Sequence, residues 1–298
     1  MEMRQFGQTD MRVGVLGFGG AEIGFEQASA EQVKALLPTA LDGGLNVIDT
    51  AECYLASEEL IGKTVSDQRR RYFLFTKCGH PQRPGVEDWR KKSLLDSIER
   101  SLLRLKTDRV DLIHLHTCSE QELRKGEVIE ALKEAREKGY TRYIGYSGDS
   151  SAARYAVECG VFDSLQTSVN IADQEAIELT LPLARQRGMA VIAKRPIANA
   201  AWRYSEKPAN SYHQEYWERL QKLDYDFLKG DPKRAASIAL RFTLSVPGVQ
   251  TAIVGTKNPT RWRENAELLE AGPLPKEQFE AIRARWKQIA EPSWIGQT

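Results

Sequence analysis

Two spacings of apolar residues alternate along the chain. After Ser29-Ala30-Glu31-Gln32, residues Val33, Leu36, Leu37, Ala40 and Leu41 recur on one face at a helical period. Gly43-Gly44 stops that helix, and LNVID (45–49) predicts a short buried strand. YFLFTKC (72–78) predicts the next strand, and a long amphipathic helix follows with Leu94, Leu95, Ile98, Leu102 and Leu105 on one stripe. VDLIHLH (110–116) is a further strand. The unit then repeats: a helix near 127–138 and strand TRYIGYS, a helix near 150–158 and strand FDSLQTSV, a helix near 175–187 and strand MAVIAK. A helix near 233–245, strand QTAIVG (250–255) and a helix near 259–270 close the series.

Glycine stands at these helix-to-strand joints, where the chain needs a residue tolerant of positive φ. Strand starts recur at roughly 30-residue intervals, the length of a βαβ unit. With RVGVLGF (12–18) as an early strand, eight strands fit within 298 residues. That count predicts an α/β fold of the (β/α)8 TIM-barrel type rather than an open doubly wound sheet, in a single domain over 1–298. The longest irregular stretch, 195–212, follows the seventh strand, where barrel loops often carry function.

Composition narrows the function classes. The chain is 41% hydrophobic and 28% charged, with 42 basic and 41 acidic residues and a net charge of +1. Neither nucleic acid nor an anionic membrane is an expected partner. No apolar run approaches the roughly 18 residues of a membrane span, and the opening MEMRQFGQTDMRVGV lacks the apolar core of a signal peptide. The four cysteines show no CxxC spacing and are expected to be thiols in a reducing cytoplasm, with no metal site.

Chemistry in a barrel gathers at the C-terminal ends of the strands. Asp49 ends the second predicted strand, Lys77 lies at the end of the third on the face shared with Phe73 and Phe75, and His116 ends the fourth. Ser147 ends the fifth, and Gln166 and Asn170 flank the end of the sixth. Tyr54 lies in the loop after Asp49. A lone strand-end acid is more often a helix cap, and a lone histidine more often structural. Together, a carboxylate, an amine, an imidazole and a phenol at one mouth point to an active site. His114 is expected one layer deeper.

The same residues carry a family resemblance. The opening MRQFGQTDMRVGVLGFGG, NVIDTAECY with SEELIGK, FTKCG, RVDLIHLH, IGYSG and IVGTKNPTRWREN resemble the aldo-keto reductases over nearly the whole chain. The resemblance implies an N-terminal β-hairpin, an extra C-terminal helix and a reactive set of Asp49, Tyr54, Lys77 and His116. It implies NADPH or NADP+ as cofactor. Ser147 and Gln166 match the positions that hold the nicotinamide carboxamide, and Gly19, Gly20 and Asp49 also fall on the cofactor side. Gly148 stands where the family usually has Asn. After the seventh strand, Lys194, Arg195 and Pro196 occupy the place of an aromatic or flat group against the nicotinamide; a cation there fits an oxidised ring poorly, so register or local geometry must differ. Gly255, Thr256 and Lys257, with Arg261, Glu264 and Asn265, match the adenosine end. Arg261 with Lys257 suits a 2′-phosphate, which favours NADPH over NADH.

The physical logic of the set is independent of the resemblance. Reducing a carbonyl takes a hydride to carbon and a proton to oxygen. A free phenol has a pKa of about 10, and a nearby ammonium, Lys77, is expected to lower it. Asp49 would pair the buried ammonium, and His116 would orient the substrate oxygen. The chain has no GxGxxG between strand and helix, so a Rossmann cofactor site is not expected. The expected activity is reduction of a small aldehyde or ketone, by a monomer or small homo-oligomer. Two other readings stand beside it: an NADPH-binding redox-sensing or regulatory barrel, and a Schiff-base lyase using Lys77, which leaves Tyr54 and His116 without roles. Cys53, Cys78 and Cys118 either fill space or form a thiol-sensitive mouth. Trp202, Tyr204, Trp217 and Trp294 either wall a substrate pocket or pack the long loop and C-terminal helix.

Overall fold

The computed structural model describes residues 1–81 and 85–297. Among the described residues ten strands form in chain order: β1 (Met3–Gln5), β2 (Arg12–Gly14), β3 (Leu16–Gly19), β4 (Val47–Asp49), β5 (Phe73–Cys78), β6 (Val110–His116), β7 (Thr141–Ser147), β8 (Ser164–Ser168), β9 (Ala190–Lys194) and β10 (Thr251–Gly255). Strands β3 to β10 close into a parallel eight-stranded barrel, as the alternating pattern predicts.

The early strand expected over 12–18 is two strands. Arg12–Gly14 pairs antiparallel with β1, while Leu16–Gly19 joins the barrel between β10 and β4. Asn46 holds the division: its amide donates to the Arg12 carbonyl at 3.0 Å, and its side-chain oxygen accepts from the Gly14 N–H at 2.7 Å. The β1–β2 hairpin plugs the N-terminal end of the barrel. Phe6, Met11 and Val13 pack with Val47, Phe75, Leu112 and Ile192 in the interior, and Phe6 stacks on Phe75 with centroids 5.6 Å apart. The bottom is thus filled with apolar side chains, which leaves polar chemistry to the opposite end.

Local rules explain most of the outer helices. Ala30–Asp42 begins with a capping box between Ser29 and Gln32. Gly139, Gly160 and Gly188 return the chain to strands at φ of 78°, 70° and 65°. The helix expected over 175–187 is broken into Glu175–Leu179 and Leu181–Gln186, because Pro182 lacks an N–H and its ring crowds the carbonyl four residues back. The irregular stretch 195–212 contains a 3-10 turn, Ala198–Arg203, and runs into helix Ser211–Leu223. An additional short helix, α1 (Ala21–Phe25), crosses the mouth directly after β3. Helix Lys276–Ile289 is the extra C-terminal helix. Among the described residues no helix is long and apolar enough to cross a membrane.

Candidate active site

Strand stagger brings the reactive groups to one level. Asp49 pairs in register with Phe75, Lys77 with His114, and His116 with Ser147. Each strand therefore reaches further than its neighbour, as the tilt of a closed barrel requires. Lys77 lies two residues beyond Phe75, the register partner of Asp49, and its stem spans the step. Its Nζ donates to Asp49 Oδ1 at 2.5 Å and to the Thr50 carbonyl at 2.8 Å. Both side chains are 1% exposed.

The other carboxylate oxygen extends the network. Gln166 Nε2 donates to Asp49 Oδ2 at 2.9 Å, and Ser147 Oγ donates to Gln166 Oε1 at 3.0 Å. The two residues matched to the carboxamide site thus meet the reactive pair through one hydrogen-bonded chain across the barrel. Burial pushes the Asp49 carboxyl up, while the Lys77 charge and the bonds from Lys77 and Gln166 pull it down. Burial is the largest of these influences, so the carboxyl stands above its usual range, and its bonds to Lys77 and Gln166 are what oppose that rise.

Tyr54 lies over this pair, its ring centroid 5.0 Å from Lys77 Nζ. The expected lowering of its pKa is not what the structure gives: burial raises the phenol well above its ordinary value, and the Asp49 charge adds to the rise. The physical reason is that Lys77 is already neutralised by Asp49. The cation whose charge pulls the phenol down is Arg195. Tyr54 is therefore a neutral phenol carrying its proton. Its ring stands edge-on to His116, with centroids 5.7 Å apart and planes at 80°.

His116 is neutral as well. Burial drives its pKa well below the usual value, and the charges of Lys77, His80 and Lys194 reinforce this. Its Nδ1 lies 3.5 Å from Cys53 Sγ. Burial pushes the Cys53 thiol up to about 12; an S–H donating to Nδ1 would leave the imidazole proton on Nε2. The chain turns sharply after the histidine: Thr117 has φ 59°, rare for a β-branched residue. His80 Nε2 holds this turn, 2.8 Å from the His116 carbonyl and 2.8 Å from Thr117 Oγ1. Sequence reasoning did not single out His80; its one signal is the placement of a rare residue just past Lys77. His114 lies a layer below, fully buried, with Nε2 3.4 Å from Ser164 Oγ.

The two departures from the family pattern have structural causes. A Cβ on Gly148 would stand 2.5 Å from the Tyr146 hydroxyl, which donates to the Cys118 carbonyl at 2.7 Å. Tyr146 fills the room an Asn side chain would need. Lys194 does not present a free cation to the mouth: its Nζ pairs with Asp149 Oδ2 at 2.7 Å and donates to the Gln297 carbonyl at 2.9 Å. Arg195 has φ 55° and sets its guanidinium over the Tyr212 ring at 5.1 Å. The Pro196 carbonyl accepts from Thr243 at 2.9 Å. Asn170 is taken up internally, donating to the Arg195 carbonyl at 3.0 Å.

Gly19, Gly20 and Gly255 bring backbone without side chains together beside the mouth. Gly19 pairs with Asp49 and with Gly255 on either side. The Gly20 N–H donates to the Asp49 carbonyl at 2.7 Å, and a Cβ at Gly20 would meet Ser57 Oγ at 2.7 Å. Beyond Gly255, Thr256 Oγ1 accepts from the Asn258 N–H at 3.0 Å. Lys257 pairs with Glu26 at 3.1 Å, Arg261 with Glu264 at 3.1 Å, and Asn265 is buried in the same helix. Arg261 and Lys257 are both exposed, each already paired with an acid.

The four cysteines are free thiols. Cys78 and Cys118 belong to the apolar core, each with a backbone carbonyl 3.7 Å from its sulfur. Trp217 donates to the Tyr204 carbonyl at 3.0 Å, and Trp294 packs on Trp286. These aromatics pack the long segment and the C-terminal helix.

Comparison with known proteins agrees with this geometry. The family model described as "Aldo/keto reductase family" matches residues 15–287. The chain is 28% identical to an uncharacterized oxidoreductase of Bacillus subtilis, over 97% of each chain. It is 27% identical to L-galactose dehydrogenase of Arabidopsis thaliana, over 100% of this chain and 99% of that one. Among solved structures it resembles the holo form of aldo-keto reductase AKR11C1 from Bacillus halodurans, with TM-score 0.85 and 26% identity over 98% and 99% of the two chains. A model matched over nearly the whole barrel, on strands whose ends carry the expected acid, phenol, amine and imidazole, makes this chain a member of the aldo/keto reductase family.

Proposed function

We propose that the protein is an NADPH-dependent carbonyl reductase of small aldehydes or ketones. The observation that carries this reading is the protonated Tyr54 phenol, edge-on to a neutral His116 and seated over the buried Asp49–Lys77 pair. When bound, NADPH would supply the hydride. NADPH would lie in a groove along the backbone of Gly19, Gly20 and Gly255, the positions that match the family's cofactor side. Ser147 and Gln166 would hold the carboxamide, and Lys257 and Arg261 the 2′-phosphate.

The roles of the side chains follow from their states. Tyr54 would donate its proton to the substrate oxygen as charge develops there, the general-acid task. A buried phenolate is costly; Arg195, the cation that already pulls this phenol down, would stabilise the anion left behind, and Lys77, 5.0 Å from the ring, would add what its pairing with Asp49 leaves of its charge. His116, with Cys53 on Nδ1, would use its Nε2–H to orient the substrate oxygen. The test is loss of NADPH absorbance with a panel of carbonyl compounds, for wild type and Tyr54→Phe. Turnover in wild type and a loss of about 10²- to 10⁴-fold in kcat in the variant, with cofactor binding retained, is the expected result. Tight NADPH binding with no turnover on any carbonyl would refute the reductase and favour a regulatory barrel.

A further inference from the structure

The short helix α1 brings two acids to the groove. Glu26, just past its end, is paired with Lys257. Glu22, in its first turn, projects onto the end of β10. A Cβ built on Gly255 would coincide with the Glu22 carboxyl group. Gly255 is thus a glycine whose missing side chain makes room for an acid from another element. Arg195 is near enough for its charge to favour the ionised form of Glu22. On the reading that the cofactor passes Gly255 and Arg195, an acid set against Gly255 stands beside the dinucleotide's phosphates.

The carboxyl cannot simply retreat with its helix. Gly24 is packed against the Tyr54 carbonyl so closely that a Cβ there would overlap it, and Phe25 lies edge-on to Tyr54 with centroids 5.4 Å apart. Ile23 is fully buried. α1 is locked to the loop that carries the proton donor, so Glu22 stays at the wall of the groove when a ligand enters.

We propose that Glu22 is a cofactor-binding residue, which lines the channel for the dinucleotide phosphates and meets them as a neutral acid donating a hydrogen bond. The inference rests on the reading that Arg195, Gly255 and Lys257 border the cofactor. Charge bookkeeping leads to the neutral form: an ionised carboxylate against phosphate would be repelled in a place partly shielded from water, whereas a carboxylic acid is an O–H donor to an anionic oxygen. Burial already pushes Glu22 up to about 7, with Glu26 raising it further and Arg195 opposing. The other titratable group facing it is Tyr212 from helix Ser211–Leu223, whose own pKa is raised by burial first. Phosphate arriving beside Glu22 raises it again, so binding above pH 7 draws one proton from solvent onto the carboxyl.

Calorimetric titration with NADP+ tests this, run in buffers of different ionisation enthalpy between pH 6 and pH 8.5. Wild type is expected to take up close to one proton per NADP+ at pH 8, with Kd weakening towards tenfold per pH unit above 7, the limiting slope for one linked proton. The 2′-phosphate, with a second pKa of about 6, is fully ionised at the upper end and common to all variants. Glu22→Gln keeps a donor and loses the proton: uptake vanishes, Kd is level with pH, and binding at pH 8 is about tenfold tighter than wild type. Glu22→Ala is level too, but weaker than wild type at pH 6 because the donor is gone. Proton release or no linkage in wild type, or a Glu22→Gln slope equal to wild type, overturns the inference and leaves the cofactor reading intact. No NADP+ binding by wild type overturns both.

Discussion

Asp49→Asn removes one oxygen's charge and almost no volume, and its consequence can be worked from the structure. Asp49 accepts from Lys77 Nζ on one oxygen and from Gln166 Nε2 on the other. An Asn amide supplies one acceptor, so its NH2 must face one of these two donors. Whichever donor it faces, Lys77 would be left 1% exposed with neutral acceptors alone, the Thr50 carbonyl among them. Breaking a buried pair on one side costs about 3–5 kcal/mol. With an unfolding entropy of about 2.1 cal/mol/K per residue, a chain of 298 residues would lose about 5–8 °C in Tm. The sign with pH is fixed. An unpaired, buried Lys77 has a folded-state pKa below its unfolded value of about 10.4. The unfolded chain then binds more protons, and the variant's deficit shrinks as pH rises from 7 towards 10. Lys77→Met in the Asp49→Asn background should restore most of the loss, because no charge is left uncompensated. Thermal unfolding of the three proteins at pH 7 and pH 9.5 measures all of this. A Tm drop below 2 °C, or a deficit indifferent to both pH and the second substitution, would refute the claim that the pair is ionised and shielded from water.

Other consequences follow from neighbouring contacts. Gly148→Asn should cost about 1–3 kcal/mol by overpacking against Tyr146, measured by urea unfolding, and Tyr146→Phe should relieve part of it. Arg261→Ala should weaken NADPH binding by about 1.5–3 kcal/mol, the range for hydrogen bonds to a charged group, and leave NADH affinity little changed; fluorescence titration with both cofactors reads the ratio. Burial holds Cys53 and Cys118 near 12 and Cys78 higher still, so at pH 8 these thiols are protonated and shielded. A thiol-reactive dye should label the half-buried Cys159 first, with all four cysteines reacting only after denaturation.

The barrel was legible because its logic is local and repeated. Strands predicted at 110–116 and 141–147 match β6 and β7, since apolar period and turn glycine agree there. Boundaries failed where a tertiary partner intervened. RVGVLGF reads as one strand, and only Asn46, from a distant turn, divides it. Helix Ser211–Leu223 has an Asn210 cap, but its start lies inside a loop-like run, 195–212, that hides the change of period.

The chain itself determined which chemical groups stand at the strand ends: the side-chain period puts Asp49, Lys77 and His116 at successive C-terminal ends, and their order needs no knowledge of distant contacts. What they are as acids and bases was decided by tertiary structure. Burial and the prior pairing of Lys77 make Tyr54 a neutral donor rather than a readily ionised phenol. Asp149 turns Lys194 from a misplaced charge into an internal partner, and Tyr146 explains Gly148. Glu22 carried no signal in the sequence at all, because its meaning depends on Gly255, more than two hundred residues away. Residue identity and spacing are properties of the chain, whereas protonation states depend on desolvation and on which charges the closed barrel sets side by side.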